Sequence, residues 1–295
     1  SEEGHEIVGV VTRPDRPAGR GRRLTPSPVK LQAEAEGIPV LQPETPREPG
    51  FVERVRALAP EISVVVAYGA ILPRDALEVP ARGSWNVHAS LLPELRGAAP
   101  VPWAILRGYT RTGVTILRMD ERLDAGPILY QVPIEIGPET TAGELEEQLA
   151  SLGAAALVEA LQLLEAGELR ELPQDESRAT YAPKLTAADA RLDWSADAEE
   201  LSRRIRAFDP EPGAWTELAG QRVKVFRPEV LAGVPGGGPH AEPGTVVEAD
   251  AAGGVVVATG RGWLRIHEVQ PAGRRRMSAL DWVRGRGVRP GDRLG

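Results

Sequence analysis

Asn86 and His88 place an amide and an imidazole two residues apart at the end of an apolar run, Ser84-Trp85-Asn86-Val87-His88-Ala89-Ser90-Leu91-Leu92-Pro93. Side chains at i and i+2 of a strand point to the same face, so the two groups can converge on one small chemical group. A carboxylate, Asp124, stands in Leu123-Asp124-Ala125-Gly126, just past a second β-like run from Val114 to Met119. Amide donor, imidazole and carboxylate together could hold a tetrahedral, oxyanion-bearing intermediate with no covalent adduct to the protein. Each residue also has a plainer reading. A lone histidine is usually structural or at the surface, a strand-end amide commonly satisfies nearby backbone, and an aspartate before Ala-Gly suits an ordinary turn. The Asn-x-His spacing with its Ser-Leu-Leu-Pro tail favours chemistry for His88.

Strand ends must carry these groups. Residues 6–12 (EIVGVVT) and 62–68 (ISVVVAY) are short, apolar and β-branched, as strands buried on both faces should be. Between them Ser27-Pro28 reads as an N-cap with proline at N1, opening a helix to about Glu36 before Gly37. Residues 47–59 and 97–106 read as further helices, and strands are predicted near 85–88, 114–119 and 128–134. Strands alternating with helices imply a parallel, doubly wound α/β sheet. Ligands of such sheets sit beyond the carboxyl ends of strands, where His88 and Asp124 fall.

Thr141-Ala142-Gly143-Glu144 makes a capping box for a helix towards Leu152, with another predicted from about Gly153 to Glu165. Residues 167–178 are polar and aperiodic, as a linker would be. After one helix at 198–208, residues 222–230, 244–249, 255–259 and 263–269 read as short strands broken by Gly and Pro, including Gly236-Gly237-Gly238-Pro239. That pattern predicts a small β-barrel, and Ser278-x-x-Asp281 starts a short last helix.

At 295 residues, 42% hydrophobic and 26% charged, the chain suits two globular domains with separate cores. It has no run of about 18 apolar residues and no charged-then-apolar leader, so no membrane span and a cytoplasmic location are expected. Zero cysteines exclude disulfides, thiolate nucleophiles and Cys-based metal sites. A net charge of −7 conceals two basic patches. Residues 12–30 hold six basic side chains against Asp15, and residues 261–295 hold nine arginines against Glu268, Asp281 and Asp292. Residues 135–176 hold eleven acidic groups against Arg170. With a Debye length of about 8 Å at physiological salt, local patches decide affinity for a polyanion, here at two separate places.

The blocks WNVHASLLPELRGAAPVPWAI and TGVTILRMDERLDAGPIL resemble the active-site signature of formyltransferases that use 10-formyltetrahydrofolate. Residues 13–23 (RPDRPAGRGRR) and 270–277 (QPAGRRRM) resemble, within that superfamily, the methionyl-tRNA formyltransferases, and the likeness runs in order from about Gly4 to Leu294. The resemblance implies a Rossmann-like catalytic domain at 1–166, a linker at 167–181 and an OB-like, tRNA-binding barrel at 182–295. It implies catalysis by Asn86, His88 and Asp124. It implies folate contacts from Ser90, Leu91, Leu92 and Pro93, and from Tyr68, Gly69, Ile71 and Leu72, where Gly69 would let a flat ring approach the backbone. The tRNA contacts it implies are Arg16, Arg20, Arg22, Arg23, Arg274, Arg275 and Arg276. The expected partner is initiator methionyl-tRNA, with no metal, no obligatory protein partner and a monomeric state.

Two competing readings remain: a formyltransferase acting on a small amine such as a nucleotide or amino sugar, and an RNA-binding module with a dead site. A small acceptor would need neither basic patch, and the intact Asn86, His88 and Asp124 weigh against a dead site. Dinucleotide binding is not supported, because Gly19-x-Gly21-x-x-Leu24 lacks a third glycine, and there is no Walker A, His-Glu-x-x-His or Gly-x-Ser-x-Gly motif. The family begins with a strand and helix carrying a Gly-Thr-Pro turn, and residues from Ser1 show neither. The expectation is a fragment of a longer protein, with unpaired backbone groups where that strand would lie.

Overall fold

Residues 4–18, 23–233, 241–250 and 254–295 are described by the computed structural model. β1 (Val10–Val11) leads to a hairpin of β2 (Arg16–Ala18) and β3 (Arg23–Thr25), then to α1 (Pro28–Ala35) and β4 (Val40–Leu41), which pairs in parallel with β1. The predicted cap of α1 is present, with Ser27 Oγ accepting from the Lys30 N–H at 3.1 Å. α2 (Phe51–Ala57), β5 (Ser63–Val65) and α3 (Arg74–Leu77) follow, and Phe51, Val55 and Ala76 gather Val11, Leu41 and Leu72 into a small core. Helix α2 starts four residues later than its periodicity predicts.

β6 (Ser84–His88), α4 (Pro100–Leu106), β7 (Arg111–Arg118) and β8 (Ile128–Glu135) complete a four-stranded sheet in the order β5-β6-β7-β8. The sheet is not parallel throughout, as expected from the sequence. β5 and β6 are parallel, but β6 and β7 run antiparallel, with His88 opposite Thr115 and Trp85 opposite Arg118. A parallel pairing needs a crossover helix packed back on the sheet. α4 packs on α6 (Ala198–Ala207), and the chain re-enters beside β6 in the opposite sense. Within the described residues β1 and β4 form a sheet of their own.

Residues 142–165 form one helix, α5 (Ala142–Glu165), where two were expected. Its capping box is made, with Thr141 N–H donating to Glu144 at 3.0 Å and Glu144 N–H to Thr141 Oγ1 at 3.3 Å. Gly153 does not break it. A Cβ there would lie 3.0 Å from Val87 Cγ1 and close to both methyls of Val114, so glycine allows the helix to lie directly on the sheet.

By contacts the chain forms two compact units. One takes the described parts of Ser1–Ala98, with Gly113–Pro133 and Ser151–Tyr181; the other takes Ala99–Thr112, Ile134–Ala150 and Ala182–Gly295. The second unit holds β9 (Ala214–Leu218), β10 (Gln221–Leu231), β11 (Val246–Asp250), β12 (Gly254–Ala258), β13 (Trp263–Pro271), β14 (Met277–Ser278) and α7 (Ala279–Arg284). The strand path is β11-β12-β13-β10-β9, antiparallel, with β14 on β13. Its two ends are joined by the chain's last residues: Leu218 bridges Leu294 and Thr245 bridges Arg293, and Glu217 and Gly295 exchange backbone bonds at 2.9 and 3.0 Å. This closes the sheet into a barrel and leaves neither edge open there. Val255, Val256 and Val257 of β12 are all fully buried, with Leu264 and Ile266 beside them. The glycine-rich stretch 236–239 lies outside the described residues.

Arg276 is not a free phosphate ligand. Its guanidinium donates to both carboxylate oxygens of buried Asp209, at 2.7 and 3.1 Å, and to Glu268, and it lies 3.9 Å from the Phe226 ring centroid. Burial alone would lower its pKa, yet the hydrogen bonds to Asp209 and Glu268 leave it raised. Two predictions follow from this packing. Gly153→Val should destabilise the protein by about 1–3 kcal/mol through overpacking, seen as a lower denaturation midpoint. Arg276→Ala should cost about 3 kcal/mol by leaving the Asp209 charge buried and unpaired, measured the same way.

Candidate active site

β6 and β7 adjoin; β6 itself carries Asn86 and His88, and the loop after β7 carries Asp124, all within the first unit. Asn86 Nδ2 donates to Asp124 Oδ1 at 3.2 Å, and the Gly97 N–H donates to Asp124 Oδ2 at 2.8 Å. His88 Nδ1 lies 3.8 Å from the same Oδ2. The three residues singled out by spacing therefore meet around one carboxylate. His88 is 5% exposed and the Asp124 side chain 10%, so charge here is poorly screened.

The other ring nitrogen fixes the tautomer. His88 Nε2 lies 2.9 Å from the Leu95 carbonyl, which only accepts, so Nε2 carries a hydrogen and Nδ1 is the site free to gain or lose one. Asp124 has φ of +51°, an uncommon conformation for a residue other than glycine, and Leu95 has φ of +60°. Both are thus held by their surroundings rather than by local preference.

The Ser-Leu-Leu-Pro segment is tied from beneath. Thr115 Oγ1 donates to the Ser90 carbonyl at 2.7 Å and accepts from the Leu92 N–H at 3.1 Å, while Gln131 Nε2 donates to the Leu92 carbonyl at 2.9 Å. Ser90 Oγ donates to the Glu94 carbonyl at 2.7 Å. Ser90, Leu92 and Pro93 are buried, which leaves half-buried Leu91 as the side chain of this segment nearest solvent.

The other expected folate contacts divide. Val66 and Ile71 present apolar surface, Ile71 being 76% exposed, whereas Leu72 is committed to the core around Phe51. The space beside Gly69 is taken by the Arg13 guanidinium, which donates to the Tyr68 carbonyl at 2.8 Å; a Cβ at Gly69 would collide with it. The glycine thus admits an arginine in this structure. Burial raises the Tyr68 pKa, and the Arg13 charge opposes that shift.

The first basic patch is a hairpin at its stem. Its base is anchored through Asp15, which accepts from Lys30 Nζ at 2.9 Å and Gln42 Nε2 at 2.8 Å; Gln42 first and Lys30 next hold the Asp15 carboxyl below its ordinary range. Arg16 is exposed on the stem. Arg20 and Arg22 lie outside the described residues, as does the side chain of Arg23. In the second patch Arg274 and Arg275 are exposed at the turn between β13 and β14.

Sequence reasoning missed the segment 167–181. Leu172 pairs with Ile128, Thr180 Oγ1 accepts from the Leu95 N–H at 2.9 Å, and Gln174 Nε2 reaches the carbonyls of Asp124 and Gly126. Only its polarity was visible in sequence, and polarity suits a brace as well as a linker. Among the described residues no group of three or more acidic or histidine side chains could hold a metal ion.

Comparison with known proteins places the whole arrangement. Residues 1–161 match the formyl transferase family model and residues 184–287 the model of the formyl transferase C-terminal domain. A methionyl-tRNA formyltransferase of Symbiobacterium thermophilum is 49% identical over 293 residues, covering 99% of this chain and 89% of the relative. That of Bacillus velezensis is 46% identical over 295 residues, covering 100% and 92%. Among solved structures, HypX from Aquifex aeolicus in complex with tetrahydrofolic acid superposes with a TM-score of 0.64 at 18% identity, over 94% of this chain and 47% of that one. WlaRD, a sugar 3N-formyl transferase crystallised with dTDP and 5-N-formyl-THF, gives 0.63 at 15% identity, over 92% and 100%. Sequence and fold agree, and the chain belongs to the formyl transferase family.

Proposed function

We propose that the chain transfers the formyl group of 10-formyltetrahydrofolate to the α-amine of methionine on initiator tRNA. The observation that carries this reading is the carboxylate of Asp124, gripped by Asn86 and the Gly97 N–H and faced by His88 Nδ1. The near-full-length identity of about half to methionyl-tRNA formyltransferases supports the acceptor.

In this mechanism the amine attacks the formyl carbon, and the new C–N bond pushes a charge onto the formyl oxygen. One Asn86 amide hydrogen is held by Asp124, and the other is available to that oxyanion. His88 Nδ1 accepts the proton lost by the amine; Asp124 stabilises the imidazolium so formed. The C–N10 bond then breaks, N10 takes a proton, and tetrahydrofolate leaves. We place the pterin against the apolar surface of Val66 and Ile71, with Tyr68 and Leu91 nearby; Leu72, Leu92 and Pro93 support this wall from within. The tRNA phosphates are assigned to Arg16, Arg274 and Arg275, and to Arg20, Arg22 and Arg23. The protein acts as a cytoplasmic monomer in this reading, and sedimentation of a single 31.6 kDa species would test that state.

Asn86→Ala, which removes the oxyanion donor, and His88→Ala, which removes the proton acceptor, should each lower kcat by roughly 100- to 1000-fold while tRNA affinity holds. Labelled formyl transfer to methionyl-tRNA, run beside free amino sugars, reads this directly; near-full activity in both variants, or preference for the small amine, would overturn the assignment. Arg274→Ala with Arg275→Ala should reduce the salt dependence of tRNA binding by about 0.9 in log–log slope per arginine lost, without changing folate affinity.

A further inference from the structure

The turn that carries Asp124 is held by a side chain far away in sequence. Gln174 Nε2 donates to the carbonyl of Asp124 at 2.8 Å and to that of Gly126 at 2.7 Å, spanning the turn. The Gln174 amide cannot be reversed, because Arg96 donates to its Oε1 from Nε at 3.1 Å and from Nη2 at 2.8 Å. Arg96 is itself 2% exposed, and its other bonds run to Glu176 at 2.9 and 3.1 Å. The backbone of Arg96 bonds the Thr180 carbonyl at 2.9 Å, so both ends of this brace belong to the segment 174–180. Gly126 fits the same constraint: a Cβ there would collide with the Arg118 carbonyl.

We infer that Gln174, oriented by Arg96, is a positioning residue for catalysis that holds the Asp124 turn in its left-handed conformation. This inference rests on the proposed role of Asp124. With φ at +51° the aspartate would relax towards ordinary backbone angles if the two carbonyls were released. Its carboxylate would then lose registry with Asn86, Gly97 and His88. Misplacement of a catalytic group by about 1 Å can cost roughly 100-fold in rate.

Gln174→Glu separates positioning from mere bracing. The glutamate keeps the shape and still accepts from Arg96, but turns an oxygen towards the two carbonyls in place of two N–H donors. The expected result is a fall in kcat of roughly 10- to 100-fold, with KM for both substrates within about two-fold and an unchanged melting temperature. In an Asp124→Asn background the same change should cost less than about two-fold under single-turnover conditions, because the group it positions is already gone. Wild-type kcat in Gln174→Glu, or its full effect persisting beside Asp124→Asn, would overturn the inference. Wild-type activity in Asp124→Asn alone would instead overturn the proposed role of Asp124. Should Gln174→Glu fail to fold, Gln174→Met, which keeps the volume and loses both donors, goes through the same cycle and is judged by the same two criteria.

Discussion

A carboxylate in a nearly closed space must have its oxygens satisfied by hydrogen-bond donors. Asp124 meets that condition through an amide on one oxygen and a backbone N–H on the other, with an imidazole facing the second. Much of the local architecture exists to make those partners arrive together. β6 brings Asn86 and His88 to one face, β7 runs antiparallel and exits beside Trp85 at the start of β6, the turn after it brings Asp124 to Asn86, and the loop after β6 curls back to offer Gly97.

Buried polar groups here are shared, not duplicated. Thr115 sits opposite His88 in the ladder and is fully buried, yet its one hydroxyl serves the Ser90 carbonyl, the Leu92 N–H and the Gln131 amide. A network with every member satisfied rigidifies what it touches, and what it touches is the loop that leaves His88. The Leu95 carbonyl plays the matching part from the far side by fixing the ring of His88. Removing flexibility at this loop matters because oxyanion stabilisation works only when the donors are in place before charge develops.

The candidate centre was legible in sequence because period-2 spacing is local: Asn86 and His88 announce a common face by themselves. The Ser27 and Thr141 caps were legible for the same reason. What could not be read were contacts closed over long separations. Gly153 looks like a break between helices until Val87 and Val114 are seen to occupy the space of its missing side chain. Gly69 looks like room for a flat ring, and Arg13 takes that room. The stretch 167–181 has no periodicity, since its bonds run 48 and 50 residues back to a turn instead of along a helix or strand. Direction of strands fails likewise, because β-propensity carries no sign for parallel or antiparallel pairing.

The arginine triplet shows how little a charge count says without neighbours. Arg274, Arg275 and Arg276 are identical in type and adjacent in sequence, but they follow a tight turn and then enter a strand. Just ahead of β14, Arg276 turns inward onto Phe226, Asp209 and Glu268, where its charge is cancelled locally. Arg274 and Arg275 are exposed, with no ion pair to them among the described residues. The barrel's positive face is thus narrower than the sequence suggests, and part of the acid-rich stretch 135–176 lies against the barrel, where Glu144 pairs with Arg227. A surface so arranged can attract phosphate at short range while the molecule as a whole remains anionic, since screening removes the distant charges from the sum.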